Sequence, residues 1–233
     1  MDLLPHRATY ELRLERSSQG SGIENAHGLL VVEVADACDT WDLRQAIVLT
    51  LVREESQIST SSEFDSREAK DGSWYRFDER TRVEPGGTDL FRGQAEAHPD
   101  VIGRIAIERP LPDEAALPAG TLFPTAHLVS ILRNAMAGRH LMTDIMFDGT
   151  EGTRVYDVTS VVGTMETDPE TGLRVWPLRL GYFYHDSLNE LPELELSARL
   201  REDGVSMGLS YDYGSFVLRA VLQSLEPLPE PEC

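Results

Sequence analysis

Apolar and polar residues alternate with a period of two along most of this chain. Ala8, Tyr10, Leu12 and Leu14 fall on one side, and Arg7, Thr9, Glu11, Arg13 and Glu15 on the other. That pattern predicts a strand with one buried and one wet face. Leu30, Val32 and Val34 repeat it, as do Leu194, Leu196, Ala198 and Leu200. Val205, Met207, Leu209 and Tyr211 form a further set, followed by Asp212-Tyr213-Gly214-Ser215 and then Phe216, Leu218, Ala220 and Leu222. Two alternating runs around a turn sequence of that kind predict a hairpin. Gly, Asp, Ser and Pro punctuate the chain at 17–22, 71–73, 85–88, 149–152 and 168–172. Strands at this spacing without intervening helices predict an antiparallel sheet large enough to curl into a barrel or sandwich.

One segment departs from the two-residue rhythm. From Thr125 to Ala137, Leu128, Ile131, Leu132 and Ala135 recur at helical spacing, with Pro124 at the start and Gly138 just past the end. Those are the marks of a helix over 125–137 with its apolar stripe on the sheet. The stretch before it, from Pro110 to Gly120, reads as a loop or linker. No internal repeat is evident; Trp41-Asp42 occurs once and carries no propeller signature.

Composition changes the picture mainly through charge. The 233 residues are 41% hydrophobic and 26% charged, close to an average globular protein, but 40 Asp and Glu face 21 Lys and Arg, a formal net charge of −19. Such a surface repels phosphate backbones and anionic lipid headgroups, so nucleic acid and polybasic membrane docking are excluded as expectations. Lys70 is the sole lysine. The longest apolar run, Ala46 to Val52, is interrupted by Thr50 and falls far short of a membrane-spanning helix. Met1-Asp2-Leu3-Leu4-Pro5 shows neither the basic nor the apolar region of a signal peptide, so the expectation is a cytosolic protein or a mature exported form. Cys38 and Cys233 are the two cysteines, the second at the end of the Pro-rich tail 227–233. A clasp tying the tail to the body and a pair of unrelated free thiols both remain open on the residues alone. Asp36 and Asp39 beside Cys38 argue against a catalytic thiolate.

The chain holds no Gly-x-Ser-x-Gly, Walker loop, His-Glu-x-x-His, Cys-x-x-Cys or EF-hand loop. Gly20-Ser21-Gly22 begins like a dinucleotide fingerprint but lacks the third glycine and a following helix; a turn between strands is the reading. His6, His27, His98, His127, His140 and His185 are scattered, without the close pairing of zinc ligands. His127 sits near the helix start, where capping or packing is its expected role. A carboxylate pair for glycoside hydrolysis is conceivable among 40 acids, and for that reason no pair stands out. Trp74, Tyr75 and Phe77, like Trp176, Tyr182, Phe183 and Tyr184, read as sheet packing. No catalytic residue, cofactor site or metal site is expected.

Several stretches resemble the EipB family of cell-envelope integrity proteins from alphaproteobacteria. They are His6-Arg7-Ala8-Thr9-Tyr10-Glu11-Leu12, Ala37-Cys38-Asp39-Thr40-Trp41, Phe123-Pro124-Thr125-Ala126-His127 and Phe147-Asp148-Gly149. Leu191-Pro192-Glu193, Glu202-Asp203-Gly204-Val205, Tyr211-Asp212-Tyr213-Gly214-Ser215-Phe216 and the terminal Cys233 complete the set. The resemblance implies a mainly β fold, an antiparallel spiral or open barrel of about a dozen strands with one inserted helix at about 125–137. It implies a single curled-sheet domain over 1–226 and a tail over 227–233 whose Cys233 bonds to Cys38. The final hairpin strands would then be the last two of the sheet, with the bridge running to the turn between Val34 and Leu43. It also implies a periplasmic mature protein, monomeric or a weak dimer, that supports the envelope under stress without catalysis, through envelope protein partners. Two alternatives stand beside that reading: a carrier with a lipid or other apolar ligand in its concavity, and a hydrolase using an acidic pair or His127. A hollow interior favours the carrier and a filled one argues against the hydrolase.

Overall fold

The computed structural model describes residues 3–233. The period-two alternation resolves first into eight strands: β1 (His6–Ser17), β2 (Ile23–Asp36), β3 (Thr40–Arg53), β4 (Gln57–Ala69), β5 (Trp74–Glu84), β6 (Thr88–Glu96), β7 (Gly103–Arg109) and β8 (Asp113–Leu117). Helix α1 (Pro124–Met136) follows. Then come β9 (Leu141–Met146), β10 (Tyr156–Val162), β11 (Glu166–Thr167), β12 (Arg174–Tyr184), β13 (Leu194–Arg201), β14 (Ser206–Asp212) and β15 (Phe216–Pro227). The fold is mainly β, as expected, with 15 strands instead of about a dozen.

The strands form one antiparallel sheet in the order β8-β7-β6-β5-β4-β3-β2-β1-β15-β14-β13-β12-β10-β9, with β11 paired only to β12. It is therefore two wings joined along one seam, where β1 runs against β15 from His6↔Pro227 to Ser17↔Phe216. Bulges at Thr9/Tyr10 and Leu14/Arg16 interrupt that register, which adds local twist. The hairpin of β14 and β15 lies where the turn sequence places it, but it is last only along the chain. In space β15 sits mid-sheet, because its second edge pairs with β1.

The edge strands β8 and β9 do not pair with each other, so the curl stays open. Leu122, between β8 and α1, bridges the gap: its N–H donates to Ile145 O at 2.8 Å, and Phe147 N–H donates to Leu122 O at 3.0 Å. The segment read as a loop over Pro110–Gly120 thus contains β8, paired along β7 from Gly103↔Leu117 to Ile107↔Asp113. Only Leu117 of β8 is buried, so a short acidic strand leaves little pattern to read, as edge strands commonly do.

Helix α1 inserts against the inner face of the second wing. Ile131, Leu132 and Ala135 are buried in one core cluster with Met146, Val158, Trp176 and Leu178. Pro124 starts the helix, and Gly138 at φ +74° follows its end. Its cap comes from elsewhere: the buried Glu68 on β4 accepts the N–H groups of Thr125 and Ala126, each at 2.7 Å. A second core is aromatic, with Tyr75 stacked on Phe77 and Phe123 and edge-on to Phe147. Gly149 is required beside it, since its φ is +78° and a Cβ there would lie 2.6 Å from the Phe77 ring. A third cluster, Ala8, Tyr10, Leu12, Leu30 and Ala220, packs along the seam.

Candidate ligand cavity

The inward face of the second wing is set by alternation. Leu178, Leu180, Tyr182 and Tyr184 of β12 point inward with Leu194 and Leu196 of β13, whereas Arg179 is exposed. Helix α1 faces them with His127, Leu128 and Ile131, and Leu43 and Phe64 contribute from β3 and β4. Beside the packed core these side chains border a partly open cavity of about 490 Å³, within the roughly 300–1,000 Å³ of small-molecule sites.

Leucines, a tyrosine group and three carboxylates, Asp148, Glu151 and Glu193, line the cavity; Glu151 and Glu193 are exposed and so mark the mouth. The Tyr156 ring lies edge-on to Tyr182 at 5.9 Å and stacks on Tyr184 at 5.5 Å. Tyr184 Oη donates to Glu151 Oε2 at 2.5 Å. That bond, with burial and the charge of Glu151, pushes the Tyr184 phenol up to about 12. Burial and then the Asp148 charge raise Tyr156 and Tyr182 as well. Burial pushes Asp148 itself above the usual carboxylate range, against the Thr150 N–H and hydroxyl that donate to it.

His127 lies in the helix wall and is buried. Its Nε2 has no hydrogen-bond partner, and the nearest acid, Asp144 Oδ2, is 3.8 Å away, beyond hydrogen-bond reach. Burial holds the imidazole below its ordinary value, so the ring is neutral at physiological pH. Three other histidines make separate local contacts: His6 to Leu4 O, His140 to Val162 O and His185 to Asp157. Among the described residues no group of three His, Cys, Asp or Glu is placed to hold a metal ion. Tyr75, Phe77 and Trp176 pack in the core, and Tyr182 and Tyr184 pack against it; Tyr75, Tyr182 and Tyr184 also line the cavity. A cleft of about 690 Å³ lies outside, beside Trp41, Glu68 and Lys70. Two of its charged groups are already engaged: Glu68 with the helix N-terminus, and Lys70 with Asp36 at 2.5 Å and over the Trp41 ring at 4.6 Å.

Cys38 and Cys233 are joined, with Cα atoms 5.8 Å apart across a sequence separation of 195. Cys38 occupies the turn between β2 and β3 at φ +64°, its N–H donating to Asp36 Oδ1 at 2.9 Å. The tail reaches it from the end of β15, where Leu228 N–H donates to Pro5 O at 2.8 Å.

A family profile described as EipB-like matches residues 1–229. The chain belongs to the EipB-like family. This EipB-like chain is 29% identical over 238 residues to the cell envelope integrity protein EipB of Brucella abortus (strain 2308), covering 96% of the chain and 84% of that relative. Its fold superposes with a TM-score of 0.90 on the crystal structure of a beta-barrel-like protein from Brucella abortus, at 28% identity over 98% of this chain and 99% of that one. No helix of the EipB-like chain, among the described residues, is long and apolar enough to cross a membrane.

Proposed function

We propose that this chain supports cell-envelope integrity in the periplasm as a non-catalytic protein that binds an apolar-bodied ligand inside its open spiral. The envelope role rests on the name of its Brucella relative. The binding role rests on one observation, the cavity of about 490 Å³ between helix α1 and the leucine face of β12 and β13. Concave sites of that size lined mostly by apolar side chains with a few polar groups are where small molecules bind, and this cavity has that lining. A test is to narrow it with Leu196→Trp. Protein purified from the periplasm should carry an extractable apolar molecule, detected by native mass spectrometry, and the variant should lose it while keeping its melting temperature. The variant should also fail to restore detergent resistance to cells lacking the gene. Full restoration by a variant that no longer binds would refute the ligand reading.

A second reading, docking of an envelope protein partner, draws support from the outer face of the first wing. Leu29 and Val48 are paired across β2 and β3, 51% and 57% exposed, with Ala46 exposed beside them. Leu29→Glu with Val48→Glu would leave ligand content unchanged and abolish restoration if that face is the one used.

A further inference from the structure

The cavity's own chemistry selects among apolar-bodied ligands. Its lining contains three carboxylates, Asp148, Glu151 and Glu193, and neither Lys nor Arg. The nearest cation, Arg154, lies over the Tyr184 ring at 4.6 Å and pairs with Asp186 at 3.6 Å, so its charge is partly answered. A carboxylate, sulfate or phosphate headgroup brought to this mouth would meet like charge in a partly desolvated site. An ammonium headgroup would meet opposite charge there. The second observation is independent of the acids. His127, buried and with an unpartnered Nε2, also lines the cavity, and as a neutral ring it adds no positive charge there.

We infer that the spiral binds a cationic amphiphile, a single apolar chain ending in a protonated amine, with the chain between helix α1 and the leucines of β12 and β13 and the amine at Glu151 and Glu193. The inference rests on the reading of the cavity as a ligand site and deepens it by naming the charge of the ligand. The apolar body supplies area-dependent affinity, and the acidic mouth supplies discrimination.

The test compares three probes of one chain length, dodecylammonium, dodecyl sulfate and dodecyl maltoside, each below its micelle concentration, by isothermal titration calorimetry against the full chain. Dodecylammonium should bind roughly tenfold tighter than dodecyl sulfate. Glu151→Gln with Glu193→Gln should remove most of that ratio. Glu54→Gln with Glu55→Gln, exposed acids in the turn between β3 and β4, should leave it unchanged. The control is needed because a chain of net charge −19 attracts cations everywhere on its surface. Equal binding of the two charged probes, or equal loss of selectivity with either pair of substitutions, overturns the inference. If the maltoside binds while the cation shows no advantage, the charge preference falls and the cavity stands as a ligand site. If no dodecyl compound binds, both fall.

Discussion

Glu68 joins distant parts of the chain through a single carboxylate. It caps helix α1 from 57 residues away, and its burial pushes it up to about 7 against the two N–H groups that favour its ionised form. A free glutamate titrates near 4.5, so below pH 4.5 the folded and unfolded chains both carry this proton and the group's contribution is intact. Between pH 4.5 and about 7 the folded chain keeps a proton that the unfolded chain has released, and stability from this group declines. Above that range the contribution, about 3 kcal/mol, is gone. Unfolding of wild type and Glu68→Gln in urea at several pH values should therefore show the stability difference between them changing across this window and flat beyond it. A difference constant from pH 4 to 8 would mean that folding leaves the Glu68 titration unshifted.

Helix α1 is the element most plainly written in the sequence, and it carries the sharpest stability prediction. Leu132 is completely buried, so Leu132→Asp places an unpaired charge in the core and should destabilise the protein by several kcal/mol. A melting temperature equal to wild type would refute the packing described here. The helix was legible because periodicity, an N-terminal proline and a C-terminal glycine agree. Strands β1, β14 and β15 were legible because each has one dry and one wet face. Strand β8 was not, since only Leu117 is fully buried. The cavity was hidden for a different reason. Alternation along β12 and β13 says which side chains point inward, but not how far away the facing wall stands. The available hint was chemical: tyrosine at 182, 184, 211 and 213 places hydroxyl groups where a filled core would hold Leu or Phe. The cap from Glu68 left no local trace at all.

For the whole molecule, the cystine between Cys38 and Cys233 spans the seam where the wings meet, running from beyond β15 to the β2–β3 turn. Closing a loop of 195 residues restricts the unfolded chain by about 5 kcal/mol in the chain-entropy account. Cys38→Ala with Cys233→Ala should fold, because three core clusters are independent of the bond, but its tail beyond Pro227 should be cut faster by protease. Mass spectrometry of limited digests reads this directly. Equal resistance of the double variant and wild type would show that the Leu228–Pro5 hydrogen bond and packing hold the tail without the clasp.

The seam also constrains the order in which the sheet can form. Strand β1 precedes every other strand of the sheet along the chain, yet its partner β15 is the last of them, as the pairing His6↔Pro227 shows. Until then β1 can pair only with β2, and its other edge presents a row of unsatisfied backbone groups to any neighbouring chain. The first wing can zip up by local hairpins as it appears, but the two wings cannot be registered until β15 is available to pair with β1. Non-local closure of this kind is slow. The nascent protein therefore spends its longest exposed interval with a sticky N-terminal strand, the situation in which a holding chaperone on that edge would matter most.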